Sequence, residues 1–194
     1  MGFETGWNTA VDQLDELAQR VFGKQKSEDT SSGLGSRATH LVRTCLWLES
    51  RGEEAANFYT SLLPNSYVER AYHPDPAGEI LIVNFTLRDV PYQIFEGGPH
   101  FQLSPATSIS VISEDQEDTD RLWEALTRDG GKEMPCGWLT DRYGVTWQII
   151  PSVLLTLLSS SDPTVHERVH TAMMQMRKID IERLLVAKRN ELET

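Results

Sequence analysis

Two stretches of this chain read as copies of one plan. "VPYQIF" at 90–95 and "GVTWQII" at 144–150 each place an aromatic residue, then Gln, then Ile, on what reads as a last strand. Ahead of each copy an opening strand runs into an acid-rich helix start. Glu53 and Glu54 stand there in one and Glu117 and Asp118 in the other, where carboxylates meet the positive end of the helix dipole. Units of this kind each bury one sheet face poorly alone, and two together could enclose a cavity. The pattern predicts an α+β domain over 41–152, made of two tandem βαβββ modules at 41–103 and 104–152.

The local periodicities support this. Residues 41–48 read as a strand and 53–63 as a helix closed by Pro64. Strands follow at 67–72, 79–87 and 92–95, the middle one setting Ile80, Ile82 and Asn84 against Leu81, Val83 and Phe85. The second copy runs as a strand at 108–113, a helix at 117–128 and strands near 132–138 and 145–150.

Outside this domain the chain is helical. Residues 1–40 open with an amphipathic helix (Trp7, Val11, Leu14, Ala18, Val21) and continue as a polar linker rich in Ser and Gly. That helix packs on its own domain or a dimer mate, or it docks another protein. Residues 153–194 form a helical tail packed on the domain or on a dimer mate. It runs from 153 to 158, breaks at Asp162 and Pro163, and continues as one longer helix through Arg189.

Charge narrows the partners. The net charge is −11, and residues 41–162 alone hold 8 basic and 18 acidic residues. Such a surface repels phosphate backbones and anionic lipid, so neither nucleic acid nor a membrane is an expected partner. No apolar run approaches the length of a membrane span, and the first residues do not read as a leader peptide, so a cytoplasmic protein is expected. In that compartment Cys45 and Cys136 are expected as thiols.

Five ordered blocks carry a family resemblance: "TCLWLESRGEEAANFYTSLLPNS" at 44–66, "FEGGPHF" at 95–101, "EDQEDTDRLWEAL" at 114–126, "CGWLTDRYGVTWQIIP" at 136–151 and "AMMQMRKIDIERL" at 172–184. Across 41–185 the chain resembles the PhnB-like branch of the vicinal-oxygen-chelate superfamily. These are glyoxalase and bleomycin-resistance relatives, often labelled 3-demethylubiquinone methyltransferases. The resemblance implies the two-module fold, a small-molecule ligand or substrate and a homodimer. It also implies a divalent metal held by residues on the first and last strand of each module. On that pattern the four ligand places fall on Thr44, Gln93, Ser108 and Gln148. None is a carboxylate, imidazole or thiolate, so no metal and no cofactor is expected. No strand runs into a glycine-rich loop that opens a helix, so methyl transfer from a nucleotide-like cofactor is not expected either.

Several residues stand out as candidate chemistry, each with a plainer role beside it. Gln93 and Gln148 are polar amides on inward strand positions, which satisfy a ligand or bond to each other across the module axis. With Thr44, Phe95, Ser108 and Trp138 they form the expected substrate-binding set. His100, in "GGPHF", is the candidate acid–base residue, or else a backbone anchor at the crossover. Cys136 is a nucleophile only with a spatial partner, and otherwise a buried inert thiol. "HERVH" at 166–170 matches a zinc-hydrolase helix signature, against a solvated helix face. The expectation is a metal-independent small-molecule enzyme, with a non-catalytic binding or sequestering protein of bleomycin-resistance type as the alternative. A buried His100 would favour the enzyme, and a cleft without perturbed titratable groups would favour the binder.

Overall fold

The computed structural model describes residues 42–74, 78 and 81–189, so the expected N-terminal helix and linker lie outside the described residues. The chain divides into two compact units, one ending at Phe101 and the other starting at Gln102.

The first unit contains β1 (Thr44–Leu48), α1 (Gly52–Leu62), β2 (Tyr67–Tyr72), β3 (Leu81–Leu87) and β4 (Val90–Glu96). Its sheet has the order β1-β4-β3-β2, with β1 parallel to β4 and the other pairs antiparallel. Alternation sorts the side chains onto two faces. Leu46, Leu48, Val83, Phe85 and Ile94 lie in the core with Ala55, Ala56 and Tyr59 of α1. The opposite, open face carries Cys45, Trp47, Asn84 and Gln93. A register shift between Val68 and Arg70 places one extra residue, Glu69, in β2.

The last strand ends in a glycine pair. A Cβ on Gly97 would lie 2.5 Å from the Trp47 ring, so glycine is what lets that indole pack there. Trp47 stacks on Phe95 at 4.8 Å, meets Phe101 edge-on at 4.8 Å and donates its Nε1–H to Gly98 O at 3.0 Å.

The second unit contains β5 (Ile109–Ser113), α2 (Gln116–Thr127), β6 (Lys132–Glu133), β7 (Trp138–Thr140) and β8 (Thr146–Pro151). The order β5-β8-β7-β6 repeats that of the first sheet, so the α+β expectation of two related βαβββ modules holds. Asp115 caps α2 by accepting from Asp118 N, and Leu122, Trp123 and Leu126 bury its inner face. Asp141, 4% exposed, accepts from Tyr143 N, Val145 N and Trp147 Nε1, which fixes the β7–β8 turn.

Two expectations are corrected here. The single strand read over 132–138 is two short antiparallel strands separated by a turn. In that turn Cys136 and Gly137 both have left-handed backbone, φ 62° and 80°. The single long tail helix is two helices. After α3 (Ser152–Leu158) come α4 (Pro163–Met174), capped by Asp162, and α5 (Ile181–Arg189). Between α4 and α5 the chain turns Met176 and Ile179 into a core shared with Leu154, Leu157, Val169 and Leu184. The carbonyls of Met176 and Arg177 accept the N–H groups of Cys136 and Gly137. Asp180 restarts the helix by accepting from Arg183 N. Gln116 secures the junction to α2, donating to Ile179 O at 3.2 Å and accepting from Ile181 N at 2.8 Å.

Candidate functional site

The two glutamines hold equivalent places, each on the last strand of its sheet. Gln93 pairs in register with Cys45 and Gln148 with Ser110. Gln93 Nε2 donates to Asn84 Oδ1 at 3.0 Å, and Gln148 Nε2 donates to Ser108 Oγ at 2.7 Å. Each amide is thus oriented by a polar neighbour within its own sheet. Each carbonyl Oε1 accepts no hydrogen bond from the described residues, although a half-buried carbonyl favours having a donor. In the second sheet Trp138 lies across from Gln148 in register, so Ser108, Ser110, Trp138 and Gln148 share one face.

Thr44 falls elsewhere. It pairs with Tyr92, one residue out of phase with Gln93, and a one-residue offset reverses the face. The residue matching Ser108, two positions before the partner of the glutamine, is Arg43. Its guanidinium grips Glu69 at 3.0 and 2.6 Å and donates to Tyr92 O at 3.1 Å, while Thr86 Oγ1 donates to Glu69 Oε1 at 2.7 Å. Sequence reasoning missed Arg43, Glu69 and Thr86. Asn84 was visible, as the polar residue in the alternating strand.

Phe95 is 5% exposed and serves as the platform for Trp47. Trp147 is buried at 1%, on the helix-facing side of its sheet. His100 is exposed, in the turn that follows β4 and the glycine pair. Cys45 lies on the Gln93 face, and desolvation by surrounding atoms pushes its thiol above the ordinary value. The Tyr92 phenol is raised by the same cause. Both groups therefore stay protonated at neutral pH, and of the two only Cys45 shares the Gln93 face, since Tyr92 pairs with Thr44.

Comparison with known proteins matches residues 40–150 to the family described as 3-demethylubiquinone-9 3-methyltransferase. A PhnB protein of Bacillus cereus with the same description is 31% identical, with a TM-score of 0.53, over 58% of this chain and 100% of that one. The fosfomycin resistance protein FosX of Mesorhizobium loti is 14% identical, with a TM-score of 0.47, over 63% of this chain and 99% of that one. FosX of Listeria monocytogenes, solved with Mn(II) and a sulfate ion, is 16% identical, with a TM-score of 0.43, over 58% of this chain and 91% of that one. No curated protein matches.

The donors on these sheets do not fit a divalent ion of the kind the superfamily uses. By register the first-strand and last-strand places are a guanidinium engaged by Glu69, a hydroxyl and two amides. A guanidinium repels a cation, and the other three supply no negative charge. Among the described residues no three His, Cys, Asp or Glu side chains converge on a common point.

Proposed function

We propose, on the premise that this chain belongs to the 3-demethylubiquinone-9 3-methyltransferase family, the PhnB-like branch of the vicinal-oxygen-chelate superfamily, that it holds a neutral, modestly polar organic molecule by hydrogen bonds. Gln93 on the first sheet and Gln148 on the second each offer such bonds within their own unit, and no metal on either sheet takes part. The observation that carries this reading is their equivalence. Each amide is pinned through its Nε2–H at the same register place and presents a carbonyl that lacks a donor among the described residues. Phe95 with Trp47, and Trp138, supply the apolar surface beside them, and Ser108 supplies a hydroxyl.

The reading favours a binding or sequestering protein of bleomycin-resistance type over an enzyme. Its support is the exposed position of His100, the candidate acid–base group, in a turn beyond the sheet. Methyl transfer is not part of the reading. Among the described residues no strand leads through a glycine-rich loop into a helix, and Gly97 serves the Trp47 contact instead. The proposal takes the working form to be a cytosolic homodimer.

Thermal unfolding with paired probes tests it. Benzamide, phenol and hydroquinone are the neutral set, and benzoate and phenyl phosphate the charged one. The neutral probes are expected to raise the melting temperature, and Gln93→Leu and Gln148→Leu are each expected to remove the rise. Stabilisation by the anions alone, or an unchanged rise in both variants, would overturn the reading.

A further inference from the structure

The outward side of α4 carries donors that the sheet faces do not use. His166, His170 and Met174 recur at every fourth residue and so lie in one row along the helix. Both imidazoles are exposed and their rings stack, 6.3 Å between centroids and 6° between planes. His166 Nδ1 lies 2.7 Å from Leu158 O. A carbonyl only accepts, so this nitrogen carries the proton and the ring is anchored to the end of α3. At the other end of the row Met174 is 54% exposed, and Cys136 Sγ donates to its Sδ at 3.4 Å.

Cys136 reaches that position from the β6–β7 turn. Its backbone is left-handed, and its N–H and that of Gly137 are bound to the carbonyls that follow α4. The thiol is therefore held against the thioether by a clamped backbone rather than by chance contact of two long side chains. Packing explains neither an apolar Met left half-exposed nor the run of imidazoles leading up to it.

We propose that Cys136, Met174 and His170 form a site for a monovalent copper ion. A thiolate and a thioether are soft ligands that select Cu(I) over harder cations, and imidazole is compatible with them. Cu(I) is satisfied by three such donors, whereas a zinc or calcium site needs carboxylates or further imidazoles, and among the described residues none converge here. Binding converts the Cys136 thiol to a thiolate and releases its proton to solvent, and nothing is oxidised. His166 stands outside the donor set, since eight residues separate it from Met174, about 12 Å of helical rise. The site is independent of the sheet faces.

The test is competition for Cu(I) between the untagged full chain and bicinchoninate, whose copper complex is coloured, under anaerobic reducing conditions. One copper per chain is expected to leave the indicator. Cys136→Ser, Met174→Leu and His170→Ala should each weaken retention by about tenfold or more. His166→Ala and Cys45→Ser should leave it unchanged, with circular dichroism confirming the fold of every variant. The proposal is overturned if the wild-type chain takes no copper or if Cys136→Ser and Met174→Leu bind as wild type. It is equally overturned if losses follow His166 and His170 together, which would describe a two-imidazole chelate instead.

Discussion

Arg43 and Glu69 form a forked ion pair, 2.6 and 3.0 Å across its two bonds, that joins the start of β1 to β2, the two outer strands of the first sheet. The pair crosses over β4 and β3 on the open face. It gains a third contact from Thr86 and is largely shielded, with side chains 12% and 23% exposed. The matching place in the second sheet holds Ser108, which bonds to Gln148. The duplicated modules have therefore diverged at this place, the first carrying a salt bridge where the second offers a hydroxyl.

Removing one partner leaves the other largely shielded from water without its opposite charge, which costs more than removing both. Arg43→Ala and Glu69→Ala are each expected to lower stability by about 2 kcal/mol, the scale of a charged hydrogen-bonded group left unsatisfied. The double variant is expected to lose less than the sum. Urea unfolding of the four proteins measures the coupling, and strictly additive losses would show that the pair contributes nothing as a pair.

Gly137 is fixed by its backbone and its surroundings. Its φ is 80°, and a Cβ there would lie 2.8 Å from Ile149 O. Gly137→Ala is expected to destabilise the chain by about 2 kcal/mol, combining left-handed strain with overpacking. It should also loosen the Cys136 and Gly137 bonds to the segment after α4, detected as faster amide exchange at those two residues. Wild-type exchange in a destabilised variant would contradict that coupling.

Cys45 is a weaker nucleophile than its exposure suggests, because desolvation raises its thiol pKa and lowers its thiolate fraction at neutral pH. Alkylation by iodoacetamide, followed residue by residue by mass spectrometry at pH 7, is expected to be slower at Cys45 in the folded chain than in urea. The folded rate should climb as the pH passes above the ordinary thiol range. Equal rates folded and unfolded would show that the raised pKa does not control this thiol.

Much of the fold was legible because strand alternation and helical spacing are local. The faces of β3, with Asn84 opposite Val83 and Phe85, follow from order along the chain alone. The tail misled because Met173, Met176, Leu184 and Leu185 extend a helical spacing through a segment that turns Met176 and Ile179 inward. What ends the helix there includes partners 40 residues earlier, at Cys136 and Gly137. Register was the other obstacle. Thr44 and Arg43 differ by one position, and only the pairing of Cys45 with Gln93 decides which of them shares the glutamine's face. The Arg43–Glu69 contact depends on a bulge that no local pattern announced.

The central claim is that Gln93 and Gln148 act through hydrogen bonding and hold no metal. The most direct test is the side-chain amide region of a nitrogen-15 proton correlation spectrum, recorded as Mn(II) is added to the untagged chain. A paramagnetic ion bound at either glutamine would broaden that residue's amide pair beyond detection at a stoichiometric amount of metal. The account predicts that the Gln93 and Gln148 signals persist and respond instead to neutral probes such as benzamide. Loss of either pair at one Mn(II) per chain would contradict it.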